Sequence, residues 1–150
     1  MRTPEKAITR STAVMATHKR SVDVFNNRDA EAVAAVYAAD AVVYDPLCPE
    51  PLRDRDAIGQ DYAALFSSFP DIRTTILNVF VDGEAIAYEM RLSGTNQGPV
   101  ITPTGKVPAT HRRVVWPVAV FAEADAATLY REVRRYYDVT SLMEQLGLDT

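Results

Sequence analysis

Apolar positions follow a helical spacing in the first half of the chain and alternate in the second half. A helix is predicted to begin at Thr3, with proline in its first turn, and to end near residue 26. Residues 30–37, capped by Asp29, predict a second short helix, and residues 56–69 predict a third that ends before Pro70. The first half therefore reads as three helices with one short strand, residues 41–45, between the second and third.

Four longer stretches with alternating polarity predict strands at residues 74–81, 85–94, 110–122 and 128–137. The pair Asp82-Gly83 fits a tight hairpin turn between the first two of these strands. A last helix is expected to begin at Thr140-Ser141. Helices followed by a mostly antiparallel sheet are an α+β arrangement, and 150 residues, taken as a single domain over residues 1–150, suffice for a sizeable core.

Strand parity predicts which face of the sheet is apolar. The apolar rows are Ile86, Tyr88, Met90 and Leu92 in one strand and Val114, Trp116, Val118 and Val120 in the next. In the last strand Leu129, Val133 and Tyr137 share a face with Arg131 and Arg135. Guanidinium groups on an apolar face require partners or a wet space, so we expect a pocket with hydrophobic walls and a few ionisable groups.

Composition narrows the range of partners. With 47% hydrophobic residues, 24% charged residues and a net charge of −4, the chain is typical of a globular protein that binds small molecules or proteins rather than nucleic acid. No apolar run reaches the ~18 residues that span a membrane, and no signal-peptide pattern is present, so we expect a cytoplasmic protein without a membrane partner. The single cysteine, Cys48, has no neighbours at metal-ligand spacing, and we expect no metal.

Two residues at the end of the last strand are candidates for catalysis. Asp138, beside Tyr136 and Tyr137, is a candidate general acid or base, or else an exposed carboxylate that satisfies backbone amides at a helix start. Arg135 is a candidate for stabilising a carbonyl or an oxyanion, or else forms a structural ion pair with Glu132, Glu89 or Asp138. Arg131 and Arg134 are expected on the solvated or subunit-facing side.

A set of aromatic and soft side chains is predicted to face inward and to bind substrate: Tyr37, Tyr44, Phe66, Phe69, Tyr88, Met90, Trp116 and Tyr137. Core packing is the alternative for each of them taken singly. His18 is a further candidate near the pocket, although an isolated histidine is more often a satisfied structural residue, and the same holds for His111. Neither a Gly-x-Ser-x-Gly nucleophile elbow nor a glycine-rich phosphate loop before a helix is present.

Five short motifs occur in a consistent order over residues 20–148: Tyr44-Asp45-Pro46, Phe69-Pro70-Asp71-Ile72, RLSGTNQGP at 91–99, PTGK at 103–106 and YDVTSLMEQLG at 137–147. Together they resemble the SnoaL-like polyketide cyclases of the nuclear transport factor 2-like superfamily. The resemblance implies a cone-shaped, curved antiparallel sheet wrapped by helices around a deep apolar pocket. It also implies a homodimer formed through the sheet.

The resemblance implies a function as well. Family members close a ring of a polyketide by intramolecular aldol condensation without a metal or an organic cofactor, and others hydrolyse epoxides, form ether rings or accelerate pericyclic closures. This chain departs from the family ending, because Arg135 stands where an acid is common and Val133 where a histidine is common. Either Asp138 takes over the proton transfer, or closure is a shape-driven, Diels–Alder-type reaction.

The sequence therefore predicts a cofactor-independent cyclase of natural-product biosynthesis, such as the making of an antibiotic, that acts on an apolar oxygenated intermediate. The alternatives are a non-catalytic ligand-binding or scaffold module, and an isomerase or epoxide hydrolase of the same fold.

Overall fold

The computed structural model describes residues 4–148 of the chain. Its helices are α1 (Pro4–Asn26), α2 (Ala30–Ala34), α3 (Arg55–Ser68) and α4 (Val139–Leu146). Its strands are β1 (Tyr37–Tyr44), β2 (Leu52–Arg53), β3 (Arg73–Asp82), β4 (Ala85–Thr95), β5 (Val100–Thr102), β6 (Gly105–Val107), β7 (Arg113–Ala124) and β8 (Tyr130–Tyr136). None of the helices within residues 4–148 is long and apolar enough to cross a membrane. The cap predicted at Thr3 lies outside the described residues.

Aspartate side chains start three of the four helices. Asp29, Asp54 and Asp138 each accept a hydrogen bond from the backbone N–H three residues ahead, at 3.0, 2.9 and 3.0 Å. Such a cap satisfies one of the amides that a helix leaves free at its N-terminus. Gly147 ends α4 with a φ of 75°, a conformation that glycine adopts without steric cost.

Six strands form one curved, unclosed sheet in the order β2-β1-β8-β7-β4-β3, and β5 and β6 form a separate hairpin. Every pair in the large sheet is antiparallel except β1 and β8, which run parallel. The α+β class and the curved sheet predicted from the sequence are thereby confirmed.

The second helix is shorter than predicted, because strand pairing ends it. It stops at Ala34, and Tyr37 already belongs to β1, where it pairs with Tyr130 of β8. The N–H of Tyr130 donates to the Val36 carbonyl at 2.9 Å, so tertiary pairing overrides the helical propensity of this alanine-rich stretch. The strands β2, β5 and β6 were not predicted, since two or three residues carry no readable alternation.

A β-bulge in β8 changes which residues face inward. Glu123 pairs with Glu132, but the next residue of β7, Ala124, pairs with Tyr130, so Arg131 is the extra residue. Tyr130 is consequently 1% exposed, and Arg131 lies in solvent beside Glu123. Simple alternation placed Arg131 in the inner row, and the bulge instead turns it to solvent, the side on which Arg131 was expected.

The helices cover the inner face of the sheet. α1 packs across β3 and β4, α3 packs on α2 and β1, and α4 packs on β7. The buried side chains of both layers form one hydrophobic core. Where the curvature of the sheet holds the layers apart, the core contains a cavity.

Candidate active site

A cavity of about 120 Å³ lies between the inner face of the sheet and the helices. We call it the chamber. Its walls are mainly apolar, and seven aromatic side chains line it: Phe25, Tyr37, Tyr62, Tyr88, Trp116, Tyr130 and Tyr137. An apolar cavity with a few convergent polar groups is the usual form of a small-molecule site.

A second cavity, the outer groove, adjoins the chamber and has a volume of about 370 Å³. Four residues line both spaces: Asp45, Leu47, Leu65 and Tyr137. The hairpin residues Val100 and Ile101 of β5 line the outer groove alone. The chamber and the outer groove are therefore neighbouring compartments that share a wall.

Cys48 also lines the outer groove. Burial, together with the nearby Asp61 and Asp45 carboxylates, raises the pKa of its thiol to about 11. Near neutral pH the thiol is protonated and is therefore a poor nucleophile.

Arg135 of β8 carries the one guanidinium that lines the chamber within residues 4–148. Its side chain is 12% exposed, and its Nη1 donates to Asp45 Oδ2 and to Asp61 Oδ2, each at 3.0 Å. The guanidinium carbon lies 5.1 Å from the centre of the Tyr62 ring, at cation–π distance. Burial alone would lower the pKa of Arg135, but the Tyr62, Asp61, Tyr37 and Asp45 groups outweigh it and raise the pKa well above its usual value. Arg135 is a permanent cation in this site.

Asp45 is a carboxylate that accepts three hydrogen bonds. Its Oδ1 accepts from the Tyr137 hydroxyl at 2.6 Å and from the Leu47 N–H at 2.8 Å, and its Oδ2 accepts from Arg135. Asp45 follows β1 directly and is turned inward by the Pro46 loop. A carboxylate with three donors is suited to hold Arg135 and Tyr137 in place.

The second terminal nitrogen of Arg135 is a free donor at the site. Nη2 is buried and has no hydrogen-bond partner anywhere in residues 4–148. A buried donor without a partner costs free energy unless a ligand or water supplies one. The arrangement can therefore donate a charge-assisted hydrogen bond to a carbonyl or an oxyanion in the chamber.

Four tyrosines of the chamber have raised pKa values and are neutral phenols near neutral pH. Burial raises the pKa of Tyr37 and Tyr88 well above the usual value, raises that of Tyr130 to about 12, and with Asp45 also raises that of Tyr137. The hydroxyls of Tyr37 and Tyr62 share a hydrogen bond of 2.6 Å. The phenols can orient an oxygenated ligand by hydrogen bonds but cannot act as strong bases near neutral pH.

Six of the residues predicted for the site line the chamber, namely Arg135, Tyr37, Tyr88, Met90, Trp116 and Tyr137. The partners of Arg135 are Asp45 and Asp61, and not Glu132, Glu89 or Asp138.

Three other predicted residues belong to the packed layer around the chamber. Phe66 is buried against Phe25, with ring centres 5.2 Å apart, and Phe69 is buried against Trp116 at 5.6 Å. His18 lies behind the chamber wall with its ring 4.5 Å from that of Tyr88. Burial, with a smaller effect of Lys19, lowers the pKa of His18, which favours the neutral imidazole. These three side chains shape the chamber through their neighbours.

Two predicted residues lie outside the chamber. Tyr44 is 37% exposed on the outer face of the sheet, because it pairs with Arg134 and alternation turns Asp45 inward instead. Asp138 is exposed, and its carboxylate caps α4 by accepting the Ser141 N–H. The inward placement expected for both residues is therefore wrong. For Asp138, the capping alternative describes the structure.

Sequence reasoning missed Asp45, Asp61, Tyr62 and Thr74 as site residues. Alternation from an outward Tyr44 would have placed Asp45 inward. Nothing local marks Asp61, because its partner is 74 residues away in the sequence. Thr74 is polar on an inward-facing row, which was the one available signal for it.

Comparison with known proteins agrees with this architecture. Residues 18–129 match the family described as the SnoaL-like domain. A structure assigned as a SnoaL-like polyketide cyclase from Jannaschia sp. CCS1 is similar to this chain at a TM-score of 0.79 and 18% identity, covering 100% of this chain and 99% of that one. A search of curated protein sequences finds no match.

Two further solved structures share the fold. A Catenulispora acidiphila protein with a ketosteroid isomerase-like fold matches at a TM-score of 0.72 and 18% identity, over 89% of this chain and 93% of that one. An epoxide hydrolase from M. tuberculosis, of the LEH-like type, matches at 0.69 and 18% identity, over 91% of each chain. At these identities the likeness establishes the fold, and the chemistry has to be argued from the site.

Proposed function

The chain belongs to the SnoaL-like domain family, and from that premise we propose that it is a cyclase that closes a ring in an apolar, oxygenated natural-product intermediate of the polyketide class. The observation that carries this proposal is Arg135, a buried cation in an apolar chamber whose Nη2 has no partner within residues 4–148. Because the Asp45 and Asp61 carboxylates already pair with this guanidinium, a neutral carbonyl oxygen fits the remaining donor better than a further anion would.

Arg135 activates the substrate carbonyl in this proposal. A hydrogen bond from Nη2 draws electron density toward the carbonyl oxygen, which makes the carbonyl carbon, or an alkene conjugated with it, more electrophilic. The same bond stabilises the alkoxide or enolate oxygen as charge develops during ring closure. Asp45 and Asp61 hold the guanidinium through Nη1 and leave Nη2 for the substrate.

The walls of the chamber supply the second contribution, which is orientation. Holding the two reacting carbons within reach of each other contributes about 7–11 kcal/mol to lowering a barrier in favourable cases. This contribution needs no base, which suits a chamber in which Asp45 already accepts three hydrogen bonds. An aldol closure also needs a group that transfers a proton. Asp61 is the carboxylate placed for that transfer, because its side chain is 30% exposed and can exchange a proton with solvent.

Size determines how a substrate would bind. A cavity of about 150 Å³ accommodates a benzene-sized molecule, so the chamber of about 120 Å³ takes one ring or a short chain. We propose that the reacting end occupies the chamber and that the rest of a larger intermediate occupies the outer groove. The intermediate would then extend from the chamber into the outer groove beside the residues that line both, Asp45, Leu47, Leu65 and Tyr137.

The test is conversion of a linear or monocyclic keto-polyene precursor by the purified protein, with the product analysed by mass spectrometry and NMR. A cyclase gives a product with one more ring, at unchanged mass for pericyclic closure or lighter by one water for an aldol condensation. Arg135→Lys keeps the charge but not the planar fork, so we expect it to fold and to lose about 100-fold in rate. A precursor that gains no ring after prolonged incubation with the purified protein would refute the proposal.

One observation favours a second candidate. Two carboxylates share one guanidinium nitrogen, and Asp61 is partly open to solvent, which is a suitable arrangement for activating water. Hydrolysis of an epoxide would give a product one water heavier with no new carbocycle. A non-catalytic binding module would retain its ligand unchanged, and an isomerase would alter a double bond without changing mass or ring count.

We further propose that two copies pair through the outer face of the sheet. Aromatic side chains are exposed there, with Phe80 at 70%, Phe121 at 55% and Tyr136 at 54%. Phe80 and Phe121 lie in one row across β3, β4 and β7, because both pair with Ala87. Charges of both signs flank them, including the Arg134–Glu132 pair, so the face is complementary to itself as a two-fold interface requires.

Sedimentation velocity tests this pairing. We expect a dimer for the unmodified protein and a monomer for the double variant Phe80→Glu/Phe121→Glu, since unpaired carboxylates inside an apolar interface are costly. Ile8→Glu is the matched control, because Ile8 is 67% exposed on α1, away from this face. A monomeric unmodified protein at micromolar concentration would refute the dimer.

A further inference from the structure

The chamber contains two further buried hydroxyls without a hydrogen-bond partner in residues 4–148, those of Thr74 and Tyr130, and the proposed chemistry does not use them. Thr74 lies near the start of β3, is 6% exposed and lines the chamber. Its Oγ1 is buried and has no hydrogen-bond partner in the part of the chain that the structure describes. The hydroxyl therefore faces a space from which only a ligand or water can supply a partner.

The position of Thr74 is fixed from outside the chamber. Its N–H donates to Asn26 Oδ1 at 2.8 Å, and Asn26 Nδ2 donates to its carbonyl at 3.2 Å. These two bonds replace the strand neighbour that β3 lacks at the edge of the sheet. Because Asn26 satisfies the backbone of Thr74, the side chain is held without using its own hydroxyl.

Packing alone does not account for a threonine here. Valine has the same branched shape and the same preference for strands, and it would fill this position without burying an unpaired hydroxyl. The hydroxyl makes the empty protein less stable than valine would. Its benefit must therefore come from a bound molecule.

Thr74 and Arg135 lie at different positions along the chamber. Thr74 pairs with Leu92, whereas Arg135 lies in the row of Val120 and Tyr88. Their partners in β4, residues 88 and 92, are about 13 Å apart along the backbone at ~3.3 Å per residue. The two polar groups are closer to each other than this, because both side chains point into the chamber. A single oxygen atom cannot satisfy both groups.

We propose that Thr74 binds a second oxygen of the substrate, so that the substrate class is a ketone with a remote hydroxyl or carbonyl oxygen across an apolar segment. This inference deepens the proposed function, since it rests on Arg135 receiving the ketone. The guanidinium only donates and therefore needs an accepting oxygen, which is the carbonyl oxygen in the proposed function, whereas the threonine hydroxyl donates and accepts and so takes either oxygen type. The chamber volume is below the ~150 Å³ that holds benzene and limits the apolar segment to about four to six carbons.

Binding can be measured without turnover, because Trp116 is the only tryptophan of the chain and lines the chamber. The probes are terminal-hydroxy methyl ketones of about six to nine carbons and the parent methyl ketones without the hydroxyl. Each is titrated while Trp116 fluorescence is followed. In the unmodified protein we expect the best hydroxyketone to bind about tenfold more tightly than its parent ketone.

Three variants separate the two anchors. Thr74→Val should abolish the advantage of the hydroxyketone while binding the parent ketone as the unmodified protein does, and its thermal midpoint should be higher in the absence of ligand. Thr74→Ser should keep the advantage. Arg135→Lys should weaken the hydroxyketone and the parent ketone by the same factor, because both place their carbonyl on Arg135.

The outcomes distinguish this inference from the proposed function. Equal affinities of the hydroxyketone and its parent in the unmodified protein, or an unchanged advantage in Thr74→Val, would overturn the second anchor and mean that the hydroxyl meets only water. Loss of the advantage in Thr74→Val supports the anchor even if no ring is ever closed. An effect of Thr74→Val with none of Arg135→Lys would overturn the proposed role of Arg135, and with it the two-anchor substrate.

Discussion

Arg134 and Arg135 are neighbours on β8 and lie in opposite environments. The Arg134 side chain is 44% exposed on the outer face, forms an ion pair with Glu132 and lies 4.5 Å over the Tyr44 ring. Arg135 is 12% exposed, lines the chamber and is paired with two carboxylates. Alternation along one strand separates the two environments by a single residue. Identical side chains therefore have different energetic and chemical roles.

The comparison of Arg134 with Arg135 shows that a buried charge, unlike an exposed one, needs an explanation. An exposed ion pair such as that of Arg134 contributes about 0–1 kcal/mol, because water solvates both partners nearly as well. The desolvation of Arg135 is costly, and its pairing with Asp45 and Asp61 offsets that cost only if the geometry is maintained. A hydrophobic residue would fill the same space without this cost, so a buried cation here indicates a role in binding a ligand. Tyr136 and Tyr137 repeat the contrast two residues further along the chain. Tyr136 is exposed, and Tyr137 lines the chamber.

The largest expected effect comes from removing Arg135, and removal of Arg134 is its matched control. Arg135→Met leaves the buried Asp45 without its counter-ion, and we expect the free energy of unfolding to fall by about 3–5 kcal/mol. Arg134→Met should lower it by no more than about 1 kcal/mol. Urea unfolding followed by circular dichroism measures both values.

Function should separate the two positions further. Where Arg135→Met is too unstable to assay, Arg135→Lys keeps the positive charge and permits a rate measurement. We expect ring closure to slow by about 100-fold in Arg135→Lys and to be unchanged in Arg134→Lys. Equal losses of stability and rate at the two positions would remove the distinction between the faces of the sheet.

Alkaline pH should lower the stability of the folded protein, because the chamber contains buried phenols. Burial raises the pKa of Tyr37, Tyr88, Tyr130 and Tyr137 in the folded protein, while the unfolded chain keeps the usual value of 10.0. The unfolded state therefore loses its protons first, so this stability is complete below pH 10 and declines above it. For Tyr130 the decline runs from about pH 10 to about 12 and amounts to about 2–3 kcal/mol.

The measurement is the urea midpoint as a function of pH between about 9 and 11. Tyr130→Phe should make the decline shallower, since one buried phenol fewer titrates. Tyr136→Phe, which leaves the four buried phenols in place, should keep the decline of the unmodified protein. A midpoint that does not fall above pH 10 would mean that the chamber admits water freely.

The adjacent tyrosines give a smaller and more local test. Tyr137→Phe removes the 2.6 Å hydrogen bond to Asp45, and loss of a bond to a buried charged group costs about 1.5–3 kcal/mol. Tyr136→Phe removes an exposed hydroxyl and should change stability by less than about 0.5 kcal/mol. Both variants keep the ring, so thermal unfolding compares the hydroxyls alone. A loss as large in Tyr136→Phe as in Tyr137→Phe would contradict the inward role of Tyr137.

Much of the fold was accessible from the sequence because its signals are local. The start of β4, the Asp82-Gly83 turn and the end of α3 follow from alternation and from breaker residues. Where the prediction failed, distant residues decided the outcome. Pairing with β8 drew Tyr37 out of a predicted helix, and the bulge at Arg131 shifted the parity of β8.

The site was less predictable than the fold for the same reason. The alternation of β8 placed Arg135 and Tyr137 correctly, because one apolar row faces one core. The partners of Arg135 come from the loop after β1 and from α3, which no local pattern connects with β8. Volume is also set by packing, so the small size of the chamber followed only from the structure.

The smallest expected effect concerns Asp138, which lies one residue beyond Tyr137 and outside the chamber. Its carboxylate caps α4, so Asp138→Ala should cost about 1 kcal/mol, and Asp138→Asn should cost less because asparagine caps nearly as well. Neither variant should change the rate of ring closure once the folded fraction is matched. A large rate loss in Asp138→Asn, with thermal stability retained and a pH profile that becomes flat, would return the proton-transfer role to Asp138 and would move the reacting end of the substrate from the chamber to the end of β8.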